Sequence, residues 1–456
     1  MISKRPEISA RIKISPAGRI IFIIGCLLIS GSSYLFSQVI SNEKAAVSVR
    51  EGTFVSSGDV VNNEGTLTND GDVHLSGSYT STGTTKGDGI YSLGGSWTNT
   101  GGIFIPGSST VIFNGSDDQY ITRTEGETFF NLRVENSGAP TNRWLTIRND
   151  VKVLGTLTMS LGNIDAGTWL LHLSNPLAAS LNYISETKSR IRGRFERAIA
   201  EPAAYLFPLG TADFYNSLDL KINTISVPGS VLSRYINEDP GNNGLPIPDP
   251  PVEISDRYPD GYWDLTAKGG FSVSDFNISL STEGFADTIR DVTRVIKRTA
   301  GGEWTTDGIH RDAVEDVVNR DNLQGNISSS GTQFAVGRIR PLIISHPRDT
   351  TVCENSDVTF SVEATGAEKL KYTWYKEPGE VIKNGSHYQG ARTPELTIKG
   401  VGLDDAGEYY CIVTDRYKNE VRSNNATLVV MKIPVANVSP EDQPHECSDI
   451  DFEDII

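Results

Sequence analysis

The residues that could carry chemistry are scattered along the chain. The six histidines occur singly, without the close spacing of a metal site; they are His74, His172, His310, His346, His387 and His445. Nucleophilic catalysis needs a nucleophile and a converging base, and no such spacing is present. We therefore expect no catalytic residue, no metal ligand and no cofactor, and we expect each histidine to be a surface or strand residue.

The carboxylates leave two alternatives open. Asp117-Asp118 and the segment from Asn237 to Asn243 could bind calcium through loop oxygens, but neither has a twelve-residue ligand pattern, so plain turns are favoured. Carboxylates are also numerous enough for some pair to lie close in space. Parallel β-helix lyases and glycosidases use such pairs. A carbohydrate-active enzyme is therefore the alternative function.

The elements that would position any site begin with a glycine repeat. From Gly65 to Gly107 glycine recurs every six residues, and the third residue of each hexad is apolar except at Thr85. This constant period indicates one short strand and one turn, repeated. Three such strands would close a coil of about 18 residues, which predicts a β-solenoid. Its inward residues would be Leu67, Val73, Tyr79, Tyr91, Trp97 and Ile103.

Two other interpretations of the repeat are weaker. The aromatic stripe of Tyr79, Tyr91 and Trp97 could stack on sugars, but a regular inward stripe is more often core. Left-handed helices of acyltransferases also repeat in sixes, with an aliphatic residue before the glycine. This chain has residues such as Glu64 and Asp70 there.

Short strands without a strict period continue from Thr110 to Ser174, so the predicted solenoid spans residues 51–178. Phe113-Asn114-Gly115-Ser116, Phe130-Asn131-Leu132 and Gly155-Thr156-Leu157-Thr158 follow one another in this stretch. Their succession resembles secreted multidomain surface proteins of the Bacteroidetes, in which it recurs ahead of immunoglobulin-like modules. The resemblance implies an exported bacterial surface protein.

Residues 185–340 are predicted to form a second β-rich unit, most simply a β-sandwich. Strand patterns occur at Ile191 to Phe195 and at Phe276 to Leu280, for example. Five prolines between Asn237 and Pro251 predict an extended loop without a strand. Arg311 to Asn322 has valines at helical spacing, and a short helix and a loop both remain open.

Residues 342–431 carry the most specific motif. Asp405-Ala406-Gly407-Glu408-Tyr409-Tyr410-Cys411 has the Asp-x-Gly-x-Tyr-x-Cys pattern of a tyrosine corner, in which the Tyr409 hydroxyl bonds to the backbone. With Trp374 on an earlier strand, the segment resembles an immunoglobulin-like domain whose core contains Trp374 and Tyr409. It departs from that pattern at Val362, which holds the place of the usual first cysteine.

The cysteine available to this domain is Cys353, nine residues before Val362. Export would place the domain in an oxidising compartment, and Cys353 and Cys411 belong to one small sandwich. We therefore expect them to form a disulfide. Closing this loop of 58 residues should contribute about 4 kcal/mol.

Residues 1–38 have the features of a secretory signal peptide. A basic start precedes an apolar core from Ile20 to Phe36, and cleavage is expected near Gln38. An uncleaved anchor is the alternative. Cys26 follows a lipobox-like sequence, but we interpret it as an ordinary leader residue because the apolar run continues past it.

Residues 433–456 are predicted to be the truncated start of a further repeat. Pro347-Arg348-Asp349 leads to Cys353, and Pro440-Glu441-Asp442 leads in the same way to Cys447. The two copies are separated by about the length of one immunoglobulin-like module. A natural acidic tail is the alternative.

Together these patterns predict an all-β chain: a glycine-rich β-solenoid, then a β-sandwich-like unit and an immunoglobulin-like sandwich. The net charge of -16 disfavours nucleic acid and anionic membranes as partners. The favoured function is that of an exported, non-enzymatic cell-surface or adhesion-type protein whose solenoid presents binding modules. Its partner would be an extracellular protein or glycan, and no membrane contact is expected beyond the export signal.

Overall fold

The structure is a computed structural model that describes residues 19–25, 37–58, 60–250, 252–287, 289, 293–367 and 369–432. These residues are almost entirely strands and turns, with three single-turn 3₁₀ helices at Ala178–Ser180, Ser185–Thr187 and Leu403–Asp405. The predicted all-β class is therefore confirmed. Within the same residues, no helix has the length and apolar character needed to cross a membrane.

The chain forms two compact units. One runs to Asn243 and resumes over Tyr258–Val336, and the other takes in Gly244–Arg257 and the chain from Gly337 onward. The predicted repeat at 433–456 lies outside the described residues.

The first unit begins with a stack of short strands. These are β1 (Arg19–Gly25), β2 (Ser37–Glu43), β3 (Ala46–Val49), β4 (Phe54–Ser57), β5 (Val60–Asn63), β6 (Thr66–Asn69), β7 (Asp72–Leu75), β8 (Ser78–Ser81), β9 (Thr84–Lys86), β10 (Ile90–Leu93), β11 (Trp97–Asn99), β12 (Ile103–Ile105), β13 (Thr110–Phe113), β14 (Gln119–Thr122), β15 (Glu127–Phe129), β16 (Asn131–Glu135), β17 (Trp144–Ile147), β18 (Val151–Val153), β19 (Leu157–Leu161), β20 (Asn163–Leu173) and β21 (Leu181–Tyr183).

These strands make the three faces of a β-solenoid. One face runs β2-β5-β8-β11-β14-β17-β20, the second runs β4-β7-β10-β13-β16-β19-β21, and the third runs β3-β6-β9-β12. Neighbouring strands within each face are parallel, as stacked coils require. Strand β1 lies in the predicted leader and pairs antiparallel with β2.

The register gives the length of each coil directly. Val61 pairs with Tyr79 and Tyr79 with Trp97, so one coil takes 18 residues, as the glycine period predicts. Later coils are longer, since Trp97 pairs with Ile121 and Leu132 with Leu157. The glycine period ends after Gly107 because the coils from that point on have longer turns.

The inward stripe is as predicted except at Ile103. Ile103 is 56% exposed, and its neighbour Phe104 is the buried residue at 6%. Phe104 pairs with Thr85, one residue later than the 18-residue register would place it. Gly101, at φ 86°, lies in the turn that contains the extra residue. A slip of one residue turns every side chain of a strand to the opposite face, so the prediction for Ile103 is wrong.

The inward rings of Tyr79, Tyr91 and Trp97 are fully buried, so they cannot serve as a sugar-stacking platform. Thr85, the one polar residue of the stripe, is also buried. It shares a hydrogen bond with the Tyr79 hydroxyl and accepts one from the Asn63 amide at 3.2 Å. Burial raises the pKa of Tyr79 to about 12. The polar exception therefore has its hydrogen-bonding partners inside the solenoid.

A buried carboxylate occupies the same interior. Glu127 accepts hydrogen bonds from the Trp97 indole at 2.9 Å and the Asn99 amide at 3.0 Å. Arg123 forms an ion pair with it at 2.8 Å. Each of these contacts compensates part of the cost of burying the charge.

The solenoid continues into a sandwich in the rest of the first unit, while residues 244–257 within this stretch belong to the second unit. The next strands are β22 (Ile191–Ile199), β23 (Ala204–Phe207), β24 (Leu218–Val227), β25 (Gly229–Ile236), β26 (Ile247–Asp249), β27 (Val252–Ile254), β28 (Asp256–Arg257), β29 (Tyr262–Lys268), β30 (Ser272–Ser281), β31 (Arg294–Thr299), β32 (Ile309–Val314), β33 (Val317–Gln324) and β34 (Thr332–Arg338). The face ending in β20 extends through β22, β25, β29 and β34, and a second sheet runs β23-β24-β30-β33-β32. Contacts such as Phe276 against Phe334 join the two sheets.

Two local predictions in this region need correction. The proline-rich segment from Asn237 to Pro251 contains a strand, because β26 forms a hairpin with β27 that belongs to the second unit. The stretch from Arg311 to Asn322 is neither a helix nor a loop, since it lies within the β32–β33 hairpin. In that hairpin the valines contribute to strand pairing rather than to one helical face.

The second unit is completed by the C-terminal sandwich. Its strands are β35 (Leu342–Ser345), β36 (Thr350–Cys353), β37 (Val358–Ser361), β38 (Glu363–Thr365), β39 (Lys371–Lys376), β40 (Glu380–Val381), β41 (Tyr388–Gln389), β42 (Glu395–Ile398), β43 (Gly407–Thr414), β44 (Glu420–Arg422) and β45 (Ala426–Met431). One sheet runs β36-β45-β43-β39-β40, with β44 beside β43, and a smaller one runs β37-β42-β41. Strands β35 and β38 form a separate antiparallel pair. Buried side chains from both sheets form one hydrophobic core.

Candidate functional site

The core of the C-terminal sandwich fixes which side chains its larger sheet turns outward. Trp374 and Tyr409 are fully buried, and Phe360 stacks on Tyr409 at 5.2 Å. The Tyr409 hydroxyl donates to the Asp405 carbonyl oxygen at 2.6 Å, which is the bond of a tyrosine corner. Since strand side chains alternate, the residues next to these on β39 and β43 must point away from the core.

Two tyrosines lie side by side on that outward face. Tyr375 of β39 pairs in register with Tyr410 of β43, and their rings stack with centroids 5.0 Å apart and planes 4° apart. Ile412 and Thr373 form the next cross-strand pair on the same face. The result is a flat aromatic and aliphatic surface on a rigid sheet.

An arginine from β44 covers one of these rings. The Arg422 guanidinium lies 3.8 Å from the centroid of the Tyr410 ring, which is 7% exposed. Arg422 also forms an ion pair with Glu377 and donates to the Asn425 amide oxygen at 2.8 Å. These contacts hold the guanidinium in one orientation, so little conformational entropy remains to be lost when a partner binds.

The buried carboxylate of Asp405 supports the edge of the sandwich. It accepts hydrogen bonds from His387 at 2.9 Å, the Tyr388 hydroxyl at 3.0 Å and the Gly402 amide at 2.7 Å. Burial alone would raise the pKa of Asp405, but these hydrogen bonds together hold it below its usual value. The ionised form of Asp405 therefore contributes to the stability of the sandwich.

The predicted disulfide between Cys353 and Cys411 is not formed. Cys411 is a free, fully buried thiol, and burial raises its pKa to about 12. Cys353 is itself disulfide-bonded, so it is not available to Cys411.

Strand order explains the error. Strand β45 lies between β36, which carries Cys353, and β43, which carries Cys411. Two strand spacings place the backbones about 9.6 Å apart, beyond the Cα separation of about 7 Å that a disulfide tolerates. Cys353 also pairs with Met431, at the far end of β45 from the Ala426 that pairs with Tyr409.

The histidines and acidic residues considered as metal ligands do not come together in a metal site in the part of the chain that the structure describes. Among the described residues, no group of three or more His, Cys, Asp or Glu side chains could hold a metal ion. Histidines are dispersed: His74 stacks on Phe54, for example, and His346 accepts a hydrogen bond from the Asn424 amide. His445 lies outside the described residues.

The acidic residues considered for calcium accept hydrogen bonds within the first unit. Asp117 accepts from the Asn142 amide at 3.1 Å, and Asp118 accepts from the Trp144 backbone at 3.0 Å. Asp239 accepts from the Gly241 backbone at 2.8 Å. The Asp239 bond is that of a plain turn, whereas the bonds of Asp117 and Asp118 join neighbouring coils of the solenoid.

Comparison with known proteins supports the assignment of the C-terminal sandwich. A family profile described as "Immunoglobulin domain" matches residues 340–415. Titin of Drosophila melanogaster is 28% identical over 46% of this chain and 1% of its own length. Protein sidekick of the same organism is 28% identical over 28% of this chain and 6% of its own length.

Solved structures of titin domains are also similar to part of this chain. The structure entitled "Atomic resolution structure of titin domain M7" is 28% identical, with a TM-score of 0.18, and the match covers 20% of this chain and 95% of that chain. The match to this chain spans only a few per cent of the length of titin and of protein sidekick. Those relatives are animal proteins, so they do not support a Bacteroidetes origin. Residues 340–415 form an immunoglobulin-like domain at the C-terminal side of a β-solenoid chain.

Proposed function

We propose that this chain is an exported, non-enzymatic surface protein of the adhesion type. Its solenoid would carry the immunoglobulin-like domain, whose outward sheet face would bind an extracellular protein. The observation that carries this proposal is the cluster of Tyr375, Tyr410 and Arg422 on that face. Tyrosine and arginine are enriched among the residues that dominate protein–protein binding energies.

The rigidity of the cluster favours binding over a purely structural role. An ordinary surface arginine has many rotamers, whereas Arg422 is held by a ring, a carboxylate and an amide at once. Such preorganisation lowers the entropic cost of association.

Export is part of the same proposal. Residues 1–38 would direct secretion, to the cell surface or the medium, and would be removed near Gln38. Cleavage there would take away β1 but leave most of β2, which also pairs with β5 of the solenoid. The solenoid therefore does not depend on the leader for its first parallel contact.

An array of immobilised extracellular proteins, probed with the full chain, tests the binding face. Arg422→Glu should reduce binding at least about tenfold, because it reverses a charge at the centre of the cluster. Lys399→Glu is the matched control, since it reverses an exposed charge that pairs with Asp357 beside the smaller sheet. Equal losses in the two variants, or no loss in Arg422→Glu, would contradict the proposed face.

A further inference from the structure

A second outward face, on the solenoid, has its own chemistry. Strands β14, β17, β20 and β22 are consecutive in one sheet, and the register aligns Tyr120, Thr146, Asp165 and Arg192 in one row. The neighbouring row, which includes Leu145, is buried. The row of Tyr120 is therefore outward, and three strand spacings make it about 14 Å long.

Arginines lie over the aromatic rings of this face. Arg148 is 3.9 Å from the centroid of the Tyr120 ring. Arg192 and Arg190 lie 5.0 and 5.8 Å from the Trp144 ring. A guanidinium over an aromatic ring gains a cation–π contact, and its N–H groups can still donate to planar anions.

The hydrogen bonds of these arginines leave capacity for a ligand. Arg148 makes no hydrogen bond or ion pair through its side chain within the described part of the chain, and it is exposed. Arg192 engages Asp165 through Nε and Nη2, which leaves Nη1. Arg190 is directed instead to the carbonyl oxygens of Thr211 and Ala212.

The charge of the face is opposite to that of the chain. Segments 119–122, 144–148, 163–170 and 190–194 contain four arginines and Asp165. Two further carboxylates contact these segments, since Asp118 accepts from the Trp144 backbone and Asp150 from the Leu170 backbone, so the arginines exceed the carboxylates by one. The whole chain carries a net charge of -16. A positive face on an acidic protein attracts anionic groups locally, although the protein as a whole is negatively charged.

An exposed indole lies on β20, the strand that carries Asp165. Trp169 is 42% exposed and lies in the bulge of β20 between Gly167 and Leu170. Gly193, at φ 100°, allows the bulge to approach, because a Cβ there would lie 2.5 Å from the Gly167 backbone. Arg194 donates to the Thr168 carbonyl oxygen at 3.2 Å beside the indole.

We propose that this arginine–aromatic face, defined by Tyr120, Trp144, Arg148, Trp169, Arg192 and Arg194, binds a linear acidic polysaccharide. The guanidinium edges would bind carboxylate or sulfate groups, and the free indole of Trp169 would stack on the apolar face of a sugar ring. Arg148 follows β17, and Arg192 and Arg194 lie on β22, two strands away in the same sheet, so an extended polymer reaches both groups better than a compact ligand does. The face is separate from the tyrosine cluster of the immunoglobulin-like domain, so either proposal can fail alone.

Surface plasmon resonance with the full chain over three immobilised polymers tests the proposal. Polygalacturonate supplies carboxylates, chondroitin sulfate supplies sulfates as well, and dextran is neutral. We expect binding to at least one acidic polymer and none to dextran, weakening as salt screens the charges. Arg148→Gln with Arg194→Gln should reduce the affinity at least about tenfold, and Trp169→Ala should reduce it severalfold.

Arg133→Gln is the matched control, because Arg133 is an exposed arginine of β16 on another face of the same solenoid. It should bind as the unmodified chain does. Three results would overturn the proposal: no binding to either acidic polymer, equal binding to dextran, or equal losses in Arg133→Gln and in the double variant. Preferential binding to single-stranded DNA or to an acidic protein such as polyglutamate would also overturn it. Circular dichroism of each variant separates loss of binding from loss of fold.

Discussion

The exchange of roles between Ile103 and Phe104 gives the sharpest test of the solenoid. The Phe104 ring is 4.9 Å from Trp97, 5.8 Å from Phe129 and 6.3 Å from Tyr91, measured between centroids. Its replacement by alanine removes these contacts and leaves a cavity, which should cost about 3–5 kcal/mol. Ile103→Ala removes an exposed side chain and should stay within about 0.5 kcal/mol.

Urea denaturation of the full chain, followed by circular dichroism, measures both effects. With an m-value of about 3 kcal/mol/M, a loss of about 4 kcal/mol lowers the midpoint by roughly 1.3 M. Ile103→Ala should leave the midpoint of that transition almost unchanged. If the two variants lose similar stability, or if Ile103→Ala loses more, then the register of β12 is wrong.

Three further predictions concern buried polar groups. Glu127→Ala should destabilise the solenoid by about 3–5 kcal/mol because it leaves the Arg123 charge and the buried donors unpaired. Glu127→Gln should cost only roughly 1–2 kcal/mol. The urea midpoints of the two variants measure these costs, and equal costs would contradict the role of Glu127 as partner of Trp97, Asn99 and Arg123. In the folded chain the buried Cys411 thiol should resist alkylation by iodoacetamide, and it should be alkylated once the chain is unfolded without a reductant. Peptide mass spectrometry detects the alkylated cysteine, and alkylation that occurs only after a reductant is added would contradict the free thiol. Because the pKa of Asp405 is lowered in the folded chain, the stability that its carboxylate contributes is present above the unfolded pKa of about 3.9 and is lost as pH falls through the lower folded pKa. Between about pH 5 and pH 2 the melting temperature should therefore drop less steeply in Asp405→Asn than in the unmodified chain. Identical slopes in the two proteins would contradict this role of Asp405.

The sequence predicted the solenoid because its period is local. Glycine recurs every six residues, so three hexads make a coil of 18 residues, and the pairing of Val61 with Tyr79 shows the same 18-residue spacing. The error at Ile103 arose because one extra residue in a turn does not disturb the glycine period but does shift the strand that follows. Strand register in such a case is set by the previous coil, which a sequence pattern does not display.

The prediction that failed in the immunoglobulin-like domain, the disulfide, depended on strand order. The tyrosine corner at Tyr409 is a local motif and is directly visible in the sequence. The separation of Cys353 from Cys411 depends on β45, which follows both in the chain and lies between their strands. The Tyr375–Tyr410–Arg422 cluster was missed for a related reason, since three strands must pair before these residues meet. Alternation along β43 could have indicated that Tyr410 points outward, but not what lies beside it.

Binding without turnover is the central claim about function, and one measurement tests it directly. The full chain is incubated with a panel of immobilised polysaccharides and extracellular proteins, and bound protein and released reducing sugar are measured in the same wells. Our account predicts bound protein in some wells, with reducing sugar no higher than in wells without the chain. Reducing sugar that increases with protein concentration and time would contradict it and would establish the carbohydrate-active enzyme instead.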